Sequence, residues 1–302
     1  MDSTVDRSAF ALRIMPYTAI LQHDLAALWR SWLVRLWLVA AFVASAVLAM
    51  GNWGKLQTAP IIASLLFPYL VFPWFLVVIF LGVTPVSGAQ AETLADGILS
   101  RPVTRYGYLL AAWAARVMTV LGVYLAATVP VVVVVALAKR AVPDDHVTFY
   151  GLATMLGVVG LVLTLVVSFG FLAGTLLRKP LLAAAVLIFV WYPINFLLST
   201  FSLEELSPIS LNQAATTQLR QTWRKADDTA DRTNEADAQA FAQQASHFLS
   251  VLSGAPVQTT KPEFFDTGKF KDFSLGRVVL GYGLPTLAAV GLAVLSFYRR
   301  DL

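Results

Sequence analysis

Apolar residues in this chain run on without interruption instead of alternating with polar ones. Six windows contain no Asp, Glu, Lys, Arg or His: Leu36–Gly54, Leu56–Ala91, Val117–Ala138, Val147–Leu177, Pro180–Leu203 and Val278–Tyr298, of 19, 36, 22, 31, 24 and 21 residues. One helical crossing of the hydrocarbon layer takes about 20 apolar residues. A membrane β-strand would instead alternate over about 10 residues. The pattern therefore predicts an all-α polytopic membrane protein with six transmembrane helices, spans one to six. It excludes a soluble globular domain, a single-span receptor and a β-barrel.

The windows hold 153 of the 302 residues, so all 40 charged residues fall in the other 149, at the density of an ordinary wetted surface. With the N-terminus inside, eleven basic residues lie on inner segments: Arg7, Arg13, Arg30, Arg35, Arg101, Arg105, Arg116, Arg178, Lys179, Arg299 and Arg300. Lys55, Lys139 and Arg140 lie on the two short outer loops. The positive-inside bias then puts both termini in the cytoplasm of a bacterial inner membrane. The first apolar window follows Arg30 and Arg35, so the N-terminus reads as a retained anchor, not a cleaved signal. Basic residues flank the apolar windows, so the pI of 9.4 carries no nucleic-acid signal.

Several windows have internal punctuation. Pro68 and Pro73 predict a kinked second span that ends before a non-spanning tail near Thr84–Ala91. Tyr192-Pro193 predicts a kink in the fifth. Gly151, Gly157, Gly160, Gly170 and Gly174 in the fourth suit close helix packing, or a hinge. Trp37, Trp53 and Trp74 suit either an interfacial belt or packing. Ahead of the first span, Tyr17, Leu21, Leu25, Leu28 and Trp32 recur at steps of three and four, with Gln22, His23, Asp24 and Arg30 between them. That is the pattern of an amphipathic helix in the inner interface.

Little in the sequence points to covalent chemistry. There is no cysteine, which removes disulfides and thiol nucleophiles. The three histidines stand in separate segments without an HExxH motif, and no phosphate-binding GxxxxGK[ST] loop occurs. The empty spans also disfavour an ion-coupled carrier. Two polar residues stand out near the spans. Arg116 is a snorkelling residue at the inner boundary if span three begins at Val117, and a cavity residue if the helix begins at Tyr106. Asn195 in span five reads as an interhelical hydrogen-bond or cavity residue.

The stretch Ser87–Arg105, SGAQAETLADGILSRPVTR, combines a Ser87/Gln90 capping box with Glu92 and Asp96 on one helical face and an apolar stripe of Ala91, Leu94, Ala95 and Ile98. Arg101-Pro102 closes it. These features predict a short surface helix held between spans two and three.

This run, continuing from Ala91 through Ser100-Arg-Pro-Val-Thr-Arg105 to Leu110, resembles the hallmark of ABC-2 type transporter permeases. Gly174-Thr-Leu-Leu-Arg-Lys and Phe297-Tyr-Arg-Arg-Asp-Leu are similar to the ends of that family's fourth and sixth spans. The resemblance implies a permease that works with a second copy or paralogue and two separate ATPase chains, which would carry the ATP and Mg. It implies no cofactor and no enzymatic activity on this chain. Carried over, it makes Glu92, Asp96, Arg101 and Arg105 the ATPase-coupling residues; the two arginines also fit as inside-positive anchors.

The segment Glu204–Arg277 departs from that family, in which the connection between spans five and six is commonly short. It reads here as a helical extracytoplasmic subdomain, with Trp223, Phe241 and Phe248 as candidate docking residues for an extracytoplasmic partner, or as a passive insertion. The domain boundaries expected are 1–35, 36–203 with coupling segment 87–105, 204–277, and 278–302. Two functions compete. One is the membrane subunit of an ATP-driven exporter. The other is a scaffold passing ATP-driven motion to an outer partner through 204–277.

Overall fold

The computed structural model describes residues 3–84, 105–140, 147–177, 179–200, 207–220 and 274–298. Among them lie nine helices and no strand. They are α1 (Ser3–Arg30), α2 (Trp32–Gly51), α3 (Thr58–Leu70), α4 (Trp74–Val83), α5 (Arg105–Leu137), α6 (Phe149–Leu176), α7 (Pro180–Thr200), α8 (Pro208–Leu219) and α9 (Leu275–Tyr298). Five helical segments are long and apolar enough to cross a membrane: α2, α3 with α4, α5, α6 and α9. The window expected to be span five is α7, whose apolar stretch Pro180–Ile194 is shorter than these five.

The surface of the bundle has the same character. On α2, Val34, Trp37, Ala41, Ser45 and Ala49 are buried, while Leu36, Val39, Val43, Val47 and Met50 form an exposed stripe. On α9, Leu280, Leu284, Leu287 and Leu295 are exposed in the same way. Helices apolar on both the packed and the open face belong in lipid. The chain is a membrane-embedded helical protein.

The second apolar window divides as its prolines require. The helix stops at Leu70 and restarts at Trp74, across a cis Phe72–Pro73 bond. Pro73 has no N–H with which to continue the ladder. The restarted helix ends at Val83, leaving the predicted tail outside it. In contrast, α7 runs through Pro193 as a single helix. Trp37 is buried and Trp53 and Trp74 pack against the core, so these aromatics act as packing residues.

Helix α6 is the axis. Of its most apolar window 67% is buried, against 28% for α2 and 33% for α9; α3, α4, α5, α7, α8 and α9 all pack against it. Its glycines let main chains touch. A Cβ at Gly170 would lie 3.0 Å from Gly82 Cα, and one at Gly174 would overlap the Val83 carbonyl oxygen. At the far end of α6, a Cβ at Gly151 would lie 2.6 Å from the Leu219 carbonyl oxygen of α8. Gly160 seats Leu121 of α5, with 3.3 Å to a Cβ there. Four of the five glycines noted in the sequence are thus packing positions. Gly157 has nothing within 4 Å of its would-be Cβ.

Helices α5 and α6 run antiparallel in a register fixed by polar contacts. Trp113 Nε1 donates to Ser168 Oγ at 2.9 Å, and Tyr124 OH donates to the Leu156 carbonyl at 3.4 Å. Tyr124 also meets the Tyr69 ring edge-on, with centroids 5.0 Å apart. At the α5–α6 turn, Arg140 ties the α2–α3 turn down. Its guanidinium donates to the Leu56 carbonyl at 2.9 Å, to the Trp53 carbonyl at 3.4 Å and to Thr58 Oγ1, and lies over the Trp53 ring. Arg220, just past α8, donates to Gln57 Oε1 of the same turn at 3.0 Å. Thr148 N donates to the Leu219 carbonyl at 3.0 Å. Helix α8 is therefore fastened across this end of the bundle, against α3 and α6.

The glycine contacts predict a graded mutational response. Gly174→Ala should lower stability by about 1–3 kcal/mol, the usual cost of overpacking a rigid contact. Gly157→Ala should leave stability unchanged or raise it through helix propensity. Thermal unfolding of the two variants in detergent checks this; equal behaviour would mean that the α4–α6 backbone contact does not constrain the fold.

Candidate functional site

The sequence leaves two questions at the start of α5: where the helix begins, and what Arg116 faces. The helix begins at Arg105 and continues unbroken to Leu137, 33 residues, or about 50 Å at 1.5 Å per residue. That is well beyond a hydrocarbon thickness of about 30 Å. The excess falls on the charged N-terminal end, since Val117–Ala138 carries no charge.

Helix α1 packs alongside this end. Trp29 sits on Gly122, where a Cβ would lie 3.0 Å from Trp29 Cζ2. Further back, Asp24 and Arg116 attract each other across the interface. Advancing from 24 to 29 on α1 thus matches advancing from 116 to 122 on α5: the two helices run side by side in the same direction. The amphipathic pattern predicted a helix with its apolar face on the membrane interface. In the structure, half-buried Tyr17, Leu21, Leu25 and Leu28 share their side of α1 with half-buried Asp24, and α1 packs on α5. Trp32 does not continue the stripe. It is 76% exposed, because the chain breaks at Ser31, whose hydroxyl caps α2 by accepting from Val34 N at 3.3 Å. Arg35 Nε bridges the break to the Trp29 carbonyl at 3.2 Å.

Arg116 is anchored at one end of its guanidinium. One terminal nitrogen donates to the Ala112 carbonyl at 2.6 Å. Its Nε is fully buried and makes no hydrogen bond. A guanidinium has five donors in a fixed fork, so a negative group beside it relieves a real deficit. Asp24 on α1 attracts it. Burial raises its carboxyl above the ordinary aspartate range, and the attraction of Arg116, then of His23, only partly offsets this. Tyr108, one turn before Ala112, also stands within the field of both Asp24 and Arg116.

The remaining predicted residues are not brought together here. Arg105 is the first residue of α5. Glu92, Asp96 and Arg101 lie outside the described residues, as do Trp223, Phe241 and Phe248. Asn195 is in α7; its side chain lies outside the described set. Among the described residues no three His, Asp or Glu come together as a metal site. The Asp24–Arg116 pairing was missed because Asp24 reads as a polar-face residue when identity alone is weighed. Its spacing from Tyr17, Leu21 and Leu28 puts it on the packed side. Arg140 was counted only as a flanking charge, although it anchors the neighbouring turn. No protein-family model matches the chain, and no curated protein matches it either.

The raised Asp24 carboxyl has a testable sign. A group titrating higher in the folded than in the unfolded chain favours folding when protonated. Its contribution is lost as pH rises through the folded value. Asp24→Asn keeps the neutral form at every pH. Below about pH 4, where free aspartates are protonated, variant and parent should respond to pH alike. Above it, the parent should lose unfolding temperature relative to the variant until its carboxyl is fully ionised. Parallel melting curves from about pH 4 to 7 would contradict a raised native value.

Proposed function

We propose that this chain is the membrane-spanning subunit of an ATP-driven exporter of the ABC-2 type, with six spans and both termini in the cytoplasm. The observation that carries this reading is the setting of Ser87–Arg105. This segment joins α4 to α5. The α4 end is locked to α6 by Gly82, Gly170 and Gly174, and α5 is locked to α1 at Gly122. A pull on a segment whose two flanking helices are anchored is passed into those helices. A partner ATPase that pulls on Glu92, Asp96, Arg101 and Arg105 would tilt α5 against α6. The Ser100–Arg105 block similar to ABC-2 permeases supports the same assignment. ATP and Mg would reside on two separate ATPase chains, and a second permease copy or paralogue would complete the pathway. The exposed stripes of α2 and α9 suit lipid or that second copy.

A scaffold role is the second reading. The observation that favours it is α8, fastened over one end of the bundle by Gly151, Thr148 and Gln57. This gives the rest of the 204–277 segment a firm base from which to hold an extracytoplasmic partner, with Trp223, Phe241 and Phe248 as its docking candidates.

The test is co-purification from the native membrane, followed by ATP turnover in proteoliposomes. The exporter reading expects a soluble ATPase to co-purify, and turnover to respond to a transported solute. Glu92→Lys with Asp96→Lys should weaken that association by about tenfold, the size of losing a few charge-assisted contacts. Turnover responding only to an outer protein would favour the scaffold. Absence of any bound ATPase would sink both readings.

A further inference from the structure

We propose that Asp24 and Arg116 form a charge clamp that makes the N-terminal helix one mechanical unit with α5. Three observations converge on it. First, α1 and α5 run side by side in matched register, with Trp29 seated where Gly122 has no side chain. Second, Asp24 lies on the packed side of α1, among half-buried Tyr17, Leu21, Leu25 and Leu28. Third, Arg116 Nε is buried without a hydrogen bond, and the Asp24 carboxylate attracts the guanidinium.

Apart from Trp29 on Gly122, the apolar side chains would hold α1 on α5 in several registers, because Leu against Leu is nearly the same one turn along. A half-buried charge opposite a half-buried charge is satisfied in only one. Such pairs specify an arrangement more than they stabilise it, since desolvation offsets most of the attraction. That agrees with a carboxyl whose burial cost exceeds what Arg116 returns. The groups facing the pair are His23 on α1 and Tyr108 on α5. Neither supplies a second negative charge at neutral pH, so removing Asp24's partner leaves its carboxylate with only His23.

The clamp changes what is moved. In the proposed exporter, a pull on Ser87–Arg105 reaches α5 at Arg105. Arg116 lies eleven residues on, about 16 Å along the helix, and Trp29 a further turn and a half. Helix α1 would then travel with α5 as a brace on the part of it that exceeds the hydrocarbon. This step rests on the exporter reading. The clamp itself does not.

The test uses the absence of native cysteine. Spin labels at Ala26→Cys and Met118→Cys, both exposed positions, report the α1–α5 separation by pulsed electron resonance in lipid nanodiscs. The otherwise unaltered chain should give one narrow distance distribution. Arg116→Gln, which strands the carboxylate, should broaden it, with the displaced fraction rising about tenfold; a fully buried pair would cost more than this. The reversed pair, Asp24→Arg with Arg116→Asp, should restore the narrow distribution, and circular dichroism should show full helix content throughout. An unbroadened Arg116→Gln, or a reversed pair as broad as that single variant, overturns the clamp. If Arg116→Gln fails to fold, the reversed pair alone decides: folded and narrow supports the clamp, broad overturns it. No ATPase is needed for these measurements, so failure to find one would remove the exporter reading and leave this result standing.

Discussion

The contact on which this bundle turns is between main chains. Gly82 and Gly170 approach so closely that a Cβ on either would lie about 3.0 Å from the facing main chain, and one at Gly174 would overlap the Val83 carbonyl oxygen. In lipid there is no water to expel from between helices, so association depends on van der Waals fit and polar contacts. Close backbone approach multiplies such contacts along a line. Once α4 is laid on α6, the positions left for other helices are few. Helix α5 takes the side where Gly160 admits Leu121. Helix α9 packs along α6 as well, with Ala293 joining Phe171 and Leu109 near the beginning of α5.

Polar groups then fix what apolar packing leaves free. Trp113 on Ser168 and Tyr124 on the Leu156 carbonyl set the α5–α6 register. Ser168 passes its own proton back to the Thr164 carbonyl, so the pair closes without help from outside. Arg140 does more than any other single residue at its end of the molecule. Its donors take up two turn carbonyls and a threonine hydroxyl, and its face lies on Trp53. Each of these carbonyls belongs to a turn that no helix would otherwise satisfy.

Much of this was legible beforehand, because long charge-free windows have one structural solution in a membrane. The break at Pro73 and the end of α4 at Val83 followed from the chemistry of proline and the loss of apolar character. The close-packing glycines of α6 were visible too, although which of them touch a neighbour depends on the partner's backbone, as Gly157 shows. Asp24 was harder. A lone carboxylate on an amphipathic helix is assigned to water by its identity, and only the partner at Arg116, some ninety residues away, reverses that. Arg140 was opaque for the same reason: its acceptors are backbone atoms, which no side-chain pattern encodes. Of the candidate coupling and docking residues, Glu92, Asp96, Arg101, Trp223, Phe241 and Phe248 lie outside the described residues.

The fastening of α8 has one more consequence. Arg220, just past α8, is held on Gln57, and Ser274 leads into α9. The residues between are tethered at both termini, whatever conformation they take. A segment fixed at both ends in this way cannot reach beyond about half its contour from them. Anything that binds it is therefore presented to the membrane at a raised local concentration. Weak affinity for the loop would suffice to keep such a ligand beside the helices, and lengthening the loop would dilute it without altering a single contact.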